Sequence, residues 1–443
     1  MTTQSRRGAG PDGFRDDRAW ARAEDERDPL AGLRSEFLLP RAPDGGDALY
    51  FAGHSLGLQP RRARALIGEA LDDWAAHGVE GHFTGSAPWL DYHSLLTDST
   101  ARLVGALPHE VVVMNTLTVN LHLMMVSFYR PAAARFRILI EGGSFPSDRY
   151  AVASQARFHG FDPMAAVLEL EPRPGEHALR EEDVARTLEE HGREIALVLL
   201  GTPNYLTGQA LDRREVVRLA RAQGCNVGFD LAHGAGNLVL KLHEEAPDFA
   251  VWCNYKYLNA GPGGLGGVFV HERHASGAAL PRFEGWWGQR QATRFAMGSA
   301  FEPTPGAEGW QLSNPPIFQL AALRASMELF DRAGMEALRA RGDRLTGYLE
   351  WLLDVLPEGV VKQWTPREPA RRGSMLTLQI AQGPRGGARE LVEYLAARGA
   401  MVDLRSPDLV RIAPSPLYGS REDVQRLAAL VHGFFTGEEA KGG

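Results

Sequence analysis

The chain has 443 residues, of which 44% are hydrophobic, and a formal net charge of -7 at pH 7. This length is enough for two domains around a large core, and the acidic balance argues against nucleic acid as a partner. No apolar stretch is long enough to span a membrane, and two cysteines cannot form a disulfide framework, so we expect a cytoplasmic protein with no membrane partner.

The N-terminal part of the chain gives few structural signals. Residues 1–45 are rich in Arg, Asp, Gly and Pro, which predicts a mobile N-terminal extension, apart from a short amphipathic patch at residues 30–39. Residues 61–78 have a helical pattern. One face of that helix would carry Ala65, Leu66, Ala70, Leu71 and Trp74.

The middle and C-terminal parts alternate between apolar runs and amphipathic stretches. Strands are predicted at residues 137–141, 196–200, 226–230, 248–253 and 267–270. The alternation favours an α/β fold with a mainly parallel sheet covered by helices. A long helix is predicted from about residue 318, a strand at 375–380, and helices at 389–397 and 423–434.

These elements predict a large domain and a smaller domain built from both chain ends. We expect the N-terminal part of the small domain at residues 46–75, the large domain at 76–314 and the C-terminal part of the small domain at 315–443.

Polar groups follow two of the predicted strands. Asp230 ends the strand at residues 226–230, and Lys256 follows the strand at residues 248–253 and precedes a glycine-rich turn at 261–264. Ligands in open α/β sheets bind at the carboxyl ends of strands. A partly desolvated lysine can act as a nucleophile, and an aspartate can keep a pyridine nitrogen protonated, so this pair indicates pyridoxal phosphate chemistry.

Each residue has a simpler interpretation when it is taken alone. A strand-end aspartate is more often a turn residue, and a lysine is more often solvated surface. The combination of Asp230 and Lys256 with His233, Tyr255 and Tyr257, in this order, favours the cofactor interpretation.

Three further segments have the chemistry of a binding site. Residues 115–120 precede a helical run, so free helix amides there could hold a phosphate, although an ordinary N-cap is the alternative. Phe145, within Ser144-Phe145-Pro146-Ser147-Asp148, could stack on a flat cofactor or simply pack. The loops at 285–288 and 313–316 carry aromatic and polar groups that suggest a subunit interface.

Several of these motifs together resemble the kynureninase family. They are Gly53-His54-Ser55-Leu56-Gly57-Leu58-Gln59-Pro60, residues 115–120, Phe145-Pro146-Ser147-Asp148, Gly228-Phe229-Asp230-Leu231-Ala232-His233, Tyr255-Lys256-Tyr257-Leu258-Asn259-Ala260-Gly261, Gly285-Trp286, Thr293-Arg294-Phe295, Ser313-Asn314-Pro315-Pro316 and Arg411-Ile412-Ala413-Pro414. The resemblance spans residues 50–420 and is highly specific, because long motifs occur in the same order.

The resemblance implies a fold-type I enzyme of the aminotransferase superfamily that binds pyridoxal 5'-phosphate, with no metal, as a homodimer with active sites shared across the interface. Lys256 would form the Schiff base, Asp230 would pair with the ring nitrogen, and Tyr255 would act as a catalytic proton donor. The implied cofactor-binding residues are Leu117, Thr118, Phe145, Pro146, Ser147, Asp148, Thr202, Asp230, His233, Tyr255, Lys256, Trp286 and Asn314. The implied substrate-binding residues are Ser55, His82, Asn314 and Arg411.

The expected reaction is hydrolytic cleavage of L-kynurenine or L-3-hydroxykynurenine to the corresponding anthranilate and L-alanine. The sequence has His54 where the family usually has asparagine, so a ring-substituted kynurenine from secondary metabolism remains an alternative. An aminotransferase or a cysteine desulfurase of the same fold is another, and a scaffold without activity is a third. A desulfurase is disfavoured because Cys225 and Cys253 lie in predicted strands.

Overall fold

The computed structural model describes residues 10–275 and 280–437. These residues form two compact units. The large unit comprises residues 60–205 and 209–335, and the small unit comprises the chain up to residue 59, residues 206–208 and the chain from residue 336.

The helices and strands are numbered in chain order. The helices are α1 Arg18–Glu26, α2 Arg61–His77, α3 Thr97–Val104, α4 Leu117–Phe128, α5 Pro146–Phe158, α6 Pro163–Ala166, α7 Glu181–His191, α8 Arg213–Ala222, α9 Leu242–Glu245, α10 Gln291–Arg294, α11 Ile317–Ala333, α12 Met335–Leu353, α13 Ala388–Ala396 and α14 Arg421–Thr436. The strands are β1 Phe37–Leu38, β2 Leu49–Tyr50, β3 Gln59–Pro60, β4 Val111–Met114, β5 Arg137–Glu141, β6 Val167–Leu170, β7 Ile195–Gly201, β8 Asn226–Asp230, β9 Phe249–Cys253, β10 Gly266–Val270, β11 Val361–Gln363, β12 Leu376–Ile380, β13 Ala400–Met401, β14 Asp403–Arg405 and β15 Leu409–Ile412.

The large unit is built on a seven-stranded sheet with the order β4-β10-β9-β8-β7-β5-β6. Strands β6, β5, β7, β8 and β9 are parallel, whereas β10 runs antiparallel to both β9 and β4. The predicted α/β class is confirmed. Parallel strands buried on both faces need apolar side chains along their whole length, and β7 and β9 have them. Because β5, β7, β8 and β9 run in the same direction, their carboxyl ends share one edge.

Two glycines let the aromatic side chains of β9 enter the sheet core. A Cβ at Gly228 would lie 2.1 Å from the ring of Phe249, and a Cβ at Gly267 would lie 2.2 Å from the indole of Trp252. Both aromatic side chains are fully buried. A larger residue at either glycine would push β8 or β10 away from β9, and β8 and β9 lead into the two segments that carry Asp230 and Lys256.

The small unit contains a four-stranded antiparallel sheet with the order β11-β12-β15-β14. Apolar side chains from this sheet, α12, α13 and α14 form one core, and Phe14 and Ala21 from the N-terminal segment belong to it. Arg341 on α12 pairs with Asp28 at 2.7 Å, and both side chains are buried. The small unit therefore includes residues well upstream of its predicted start at residue 46.

The predicted mobile extension is wrong for much of its length. Asp17 caps α1 by accepting hydrogen bonds from the amides of Ala19 and Trp20, and α1 packs on α14. A composition rich in Arg, Asp, Gly and Pro concealed the few apolar anchors that order this segment. Residues 1–9 of the extension lie outside the described residues.

The predicted strands of the large unit are confirmed to within one residue, and α2, α13 and α14 lie where helices were predicted. On α2, Leu66 and Ala70 are buried as expected, but Leu71 and Trp74 are exposed in this chain, as is Ala65. The structure divides the two units near residues 60 and 335 rather than at the predicted boundaries, because α2 and α11 pack on each other within the large unit.

Short strands account for most of what the sequence did not predict in the two sheets. Strands β4 and β6 each have four residues, and β14 has three. Within the described residues, no helix is long and apolar enough to cross a membrane.

Candidate active site

The carboxyl edge of the large sheet borders a cavity of about 530 Å³, part of which is open to solvent. It is lined by Leu117, Thr118, Phe145, Ser147, Asp148, Gly201, Pro203, Tyr205, Asp230, Ala232, His233, Tyr255 and Lys256. All of these residues belong to the large unit. The structure thus brings together most of the cofactor-binding residues that the sequence predicted.

Lys256 is held in a tight loop after β9. The loop closes on itself, because the amide of Ala260 donates to the carbonyl of Asn254 at 2.9 Å, and Asn259 takes a left-handed conformation with φ 52°. The Nζ atom of Lys256 lies 3.2 Å from Nε2 of His233. Hydrogen-bond contact with an imidazole and restriction by the loop fix the amine inside the cavity.

Three carboxyl groups are buried at the same sheet edge. Asp230 ends β8 and accepts a hydrogen bond from the amide of Ala232 at 2.7 Å. Burial raises the pKa of Asp230, although that amide and the charge of Lys256 lower it. Burial also raises the pKa of Asp148, in the first turn of α5, well above its ordinary value, and the charge of Asp230 adds to this effect.

Glu141, at the end of β5, is the third buried acid. Burial raises its pKa to about 8, and the charge of Asp230 contributes to the increase. The side-chain amide of Asn204 donates to Oε1 of Glu141 at 2.8 Å. Glu141 was not among the site residues predicted from the sequence, although an acid at the end of a buried strand is the same signal that identified Asp230.

This acidic group fits the protonated ring nitrogen of pyridoxal phosphate. The Oδ1 atom of Asp148 is buried and has no hydrogen-bond partner among the described residues. Buried carboxylates are stabilised by a nearby positive charge or an N–H donor. Of the described residues that line the cavity, Lys256 is the one lysine or arginine. A ring nitrogen that carries a proton supplies both a charge and a donor.

Two helix N-termini fit the phosphate group of such a cofactor. Helix α4 begins at Leu117, and its N-cap residue Thr116 makes no side-chain capping bond, so the ordinary N-cap interpretation is wrong here. Thr118 and Ser147, in the first turns of α4 and α5, are joined through their hydroxyl groups at 2.8 Å. Unfilled amides and hydroxyls at helix N-termini are suited to a phosphate.

Phe145 presents an aromatic face to this cavity. Its side chain is 42% exposed, and its ring centroid lies 5.9 Å from Nζ of Lys256. Tyr205 packs edge-on against it with ring centroids 5.2 Å apart. The ring can therefore stack on a flat ligand beside the lysine. Tyr205 was not predicted as a site residue, since nothing in its local sequence pattern shows that it faces Phe145.

Some predicted cofactor residues do not line the cavity. Pro146 is the first residue of α5 and sets the start of that helix. Thr202 is fully buried, and its hydroxyl accepts a hydrogen bond from the amide of Leu211 at 3.1 Å. The family resemblance implied a cofactor contact for Thr202, but its side chain stabilises the neighbouring loop and does not line the cavity.

The remaining predicted residues lie elsewhere in the two units. Trp286 is 43% exposed and donates from its indole to the carbonyl of Arg294, Asn314 is exposed, and His82 packs edge-on against Trp89. Ser55 and Arg411 belong to the small unit, where Ser55 is exposed and Arg411 is buried.

One group outside the cavity has the composition of a metal site. Glu110, His243 and His271 place a potential ligand atom each within 4.8 Å of one another. The two carboxylate oxygens of Glu110 already accept hydrogen bonds from the amides of Leu107 and Glu272 at 2.8 Å. The positive charge of Arg273 lies near His271 and disfavours a cation at this group.

The burial of Glu141 predicts a pH effect on the cofactor-free protein. A carboxyl group whose pKa is raised on folding contributes stability that is fully present below its unfolded pKa and is lost as the pH rises through about 8. Each pH unit between the two pKa values costs about 1.4 kcal/mol at most. Glu141→Gln should therefore gain stability relative to the parent protein between pH 6 and pH 8.

Thermal unfolding at several pH values measures this gain. Glu171→Gln, at an exposed position, is the matched control and should follow the parent protein. Parallel profiles for the parent and Glu141→Gln would show that Glu141 is ionised without cost.

The fold is similar to that of solved enzymes. The apo structure of a cysteine desulfurase from Thermococcus onnurineus NA1 has a TM-score of 0.74 at 17% identity, and the similarity covers 92% of this chain and 98% of that one. A mutant of C-DES with glycine covalently linked to its PLP cofactor has a TM-score of 0.73 at 21% identity and covers 90% and 98%. The predicted fold-type I architecture is confirmed.

Sequence comparison is more specific. A family model described as the kynureninase C-terminal domain matches residues 338–431. The kynureninase of Myxococcus xanthus is 62% identical over 95% of this chain and 98% of its own length. The kynureninases of Koribacter versatilis and Xanthomonas campestris are 58% and 56% identical, over 92% and 94% of this chain and 96% and 97% of their own lengths. This chain belongs to the kynureninase family.

Proposed function

We propose that this chain hydrolyses the Cβ–Cγ bond of L-kynurenine and L-3-hydroxykynurenine, giving anthranilate or 3-hydroxyanthranilate and L-alanine, with pyridoxal 5'-phosphate as cofactor. The observation that carries the proposal is the placement of Lys256 beside His233 in a cavity with buried Asp230. The high identity with kynureninases over nearly the whole chain supports the substrate class.

Different residues of the cavity would bind different parts of the cofactor. Lys256 would hold it covalently through its amine, Asp230 would pair with the ring nitrogen, and Phe145 would stack on the ring. Leu117 and Thr118 would bind the phosphate at the start of α4. The cofactor, when bound, supplies an electron sink that stabilises negative charge at the substrate Cα.

Lys256 and Tyr255 would move protons during the reaction. The amine of Lys256 would remove the α-proton once the substrate amine has displaced it, and His233, 3.2 Å from Nζ, restrains its position. Burial raises the pKa of Tyr255, with a contribution from Cys253. The phenol therefore stays protonated at neutral pH, so Tyr255 is a proton donor for the steps around bond cleavage.

Arg411 would bind the substrate α-carboxylate through its guanidinium fork. Within the small unit its Nε atom donates to Asp403 at 2.5 Å, so the buried charge has a counter-ion when no substrate is bound. Ser55, His82 and Asn314 would surround the aromatic ring of the substrate.

A homodimer with shared active sites completes the proposal. Trp286 and Asn314 are exposed or partly exposed in the single chain and do not line the cavity, which supports a role in the partner's site. The exposed Leu71 and Trp74 on α2 are further apolar surface for a subunit contact. A cytoplasmic location is supported by two buried free thiols, Cys225 and Cys253.

The similarity to cysteine desulfurases does not extend to a reactive thiol. Burial raises the pKa of Cys253 to about 11 and also raises that of Cys225. Thiols of this kind are mostly protonated at neutral pH and poorly nucleophilic. These are the two cysteines of the chain, so desulfurase chemistry has no suitable nucleophile.

Turnover of kynurenine and of 3-hydroxykynurenine by cofactor-loaded protein tests the proposal. Anthranilate fluorescence and substrate absorbance report cleavage, and the two rates rank the ring preference. Failure with both substrates, despite bound cofactor, would contradict the proposed substrates and point to a ring-substituted kynurenine or an aminotransferase.

Lys256→Ala should abolish turnover, because the chain then has no amine in the cavity to hold the cofactor or take the α-proton. Steady-state assays and the visible absorbance of bound cofactor measure both effects. The matched control is Lys362→Ala, an exposed lysine of β11 that should retain full activity. Activity in Lys256→Ala near that of the parent would refute the assignment.

Arg411→Ala should raise KM strongly, since a charge-assisted carboxylate contact contributes on the order of 2 kcal/mol or more. Arg411→Lys should be intermediate, because lysine keeps the charge but loses the fork. Arg372→Ala is the matched control: Arg372 is also buried in the small unit and pairs with Glu350 at 2.9 Å, but has no proposed ligand. An unchanged KM in Arg411→Ala would remove the carboxylate-binding role.

Mixed dimers test the shared site. Lys256→Ala and Trp286→Ala subunits are each expected to be poorly active, but a mixed dimer would contain one site with both residues intact. Activity should therefore rise when the two variants are dissociated and reassociated together. No gain over the separate variants, with dimers verified by light scattering, would argue against a contribution of Trp286 across the interface.

A further inference from the structure

His54 lies in a loop of the small unit that pairs with the chain just after β15, the strand that carries Arg411. The amide of Ala413 donates to the carbonyl of Phe51 at 2.9 Å, and Ala52 and Ala413 form a parallel bridge. Gly53 allows the close approach, because a Cβ there would lie 2.2 Å from Oη of Tyr418. The histidine that follows is fully buried.

The pairing of β14 and β15 brings Asp403 to the same place. In this antiparallel register Asp403 is directly opposite Arg411, and Nε of Arg411 donates to Oδ2 of Asp403 at 2.5 Å. Arg405 donates to the same oxygen at 3.0 Å. Nε2 of His54 lies 3.5 Å from that oxygen, so three side chains converge on one carboxylate atom.

Asp403 remains ionised in this environment. Burial would raise its pKa, but the nearby His54 imidazole and the charges of Arg411 and Arg405 hold the pKa well below its ordinary value. A neutral imidazole with its proton on Nε2 can donate to this oxygen without adding another positive charge beside Arg411. The carboxylate therefore stays negatively charged beside both arginines. His54 approaches it from a different segment of the chain.

We propose that His54 is a positioning residue for substrate binding: it holds the Asp403 carboxylate in place, and Asp403 in turn fixes the guanidinium plane of Arg411 that receives the substrate α-carboxylate. The proposal rests on the function proposed for Arg411. A guanidinium binds a carboxylate in a bidentate manner only when its plane is correctly oriented. Loss of His54 should therefore lower the affinity for ligands that carry a carboxylate.

The binding of L-alanine and of alaninamide to the cofactor-loaded protein separates this role from a general structural one. Both ligands carry the amine, but alaninamide has no carboxylate, and the absorbance of the bound cofactor reports the binding of each. His54→Ala should weaken L-alanine binding roughly tenfold or more, the scale of a hydrogen bond to a charged group, and leave alaninamide binding unchanged. With kynurenine, KM should rise more than kcat falls.

Four companion variants sharpen the test. His54→Asn and His54→Gln keep an N–H donor, so they should retain part of the affinity, and they serve if His54→Ala does not fold. In an Arg411→Ala background, His54→Ala should have no further effect on L-alanine binding. His93→Asn is the matched control, because His93 is buried with Nε2 at 3.5 Å from Glu308 in the large unit and should leave L-alanine binding unchanged.

The possible failures are distinguishable. If Arg411→Ala weakens L-alanine binding but no His54 variant does, the positioning role is refuted and the proposed function stands. If neither residue affects L-alanine binding, the carboxylate-binding role of Arg411 itself is wrong. Equal losses of L-alanine and alaninamide affinity in the His54 variants would assign His54 to general packing and overturn the proposal.

Discussion

The burial of three carboxyl groups at the carboxyl edge of the large sheet is the constraint on which the chemistry of this protein depends. Glu141, Asp148 and Asp230 are buried there, and burial raises the pKa of each. Ionised carboxylates in such a place are costly unless a positive charge or an N–H donor accompanies them. Lys256 supplies one positive charge, and a protonated ring nitrogen is the natural second. The desolvation that makes ionised carboxylates costly here therefore favours a ligand that carries a positive charge and an N–H donor.

The sheet delivers these groups because its strands are parallel and closely packed. Gly201 on β7 pairs with Asp230 on β8, which sets the depth at which the aspartate leaves the sheet. A slip of one residue would turn Asp230 to the opposite face, since side chains alternate along a strand. The room that Gly228 leaves for Phe249 keeps β8 and β9 close together. The packing of the sheet core therefore also sets the positions of the reactive groups.

The sequence predicted those parts of the site that depend on strand ends. Asp230 ends an apolar run and Lys256 follows another. The sequence pattern alone therefore predicted that both lie at the edge of the sheet. The resemblance implied a cofactor contact for Thr202, but no local pattern shows that its hydroxyl accepts a hydrogen bond from the amide of Leu211. The exposed Trp74 illustrates another limit, because an apolar helical face does not reveal whether its own chain or another covers it.

In the small unit, strand pairing creates a side-chain contact that no local sequence pattern predicts. Strand β14 has three residues, and its pairing with β15 is what opposes Asp403 to Arg411. That pairing has an electrostatic consequence, because the two positive charges of Arg405 and Arg411 share the single negative charge of Asp403. An arginine whose charge is fully neutralised by a counter-ion would attract a carboxylate weakly. A buried arginine without any counter-ion would destabilise the fold. Two guanidinium groups around one aspartate give a buried arginine a structural partner and still leave the charge that an amino-acid carboxylate needs.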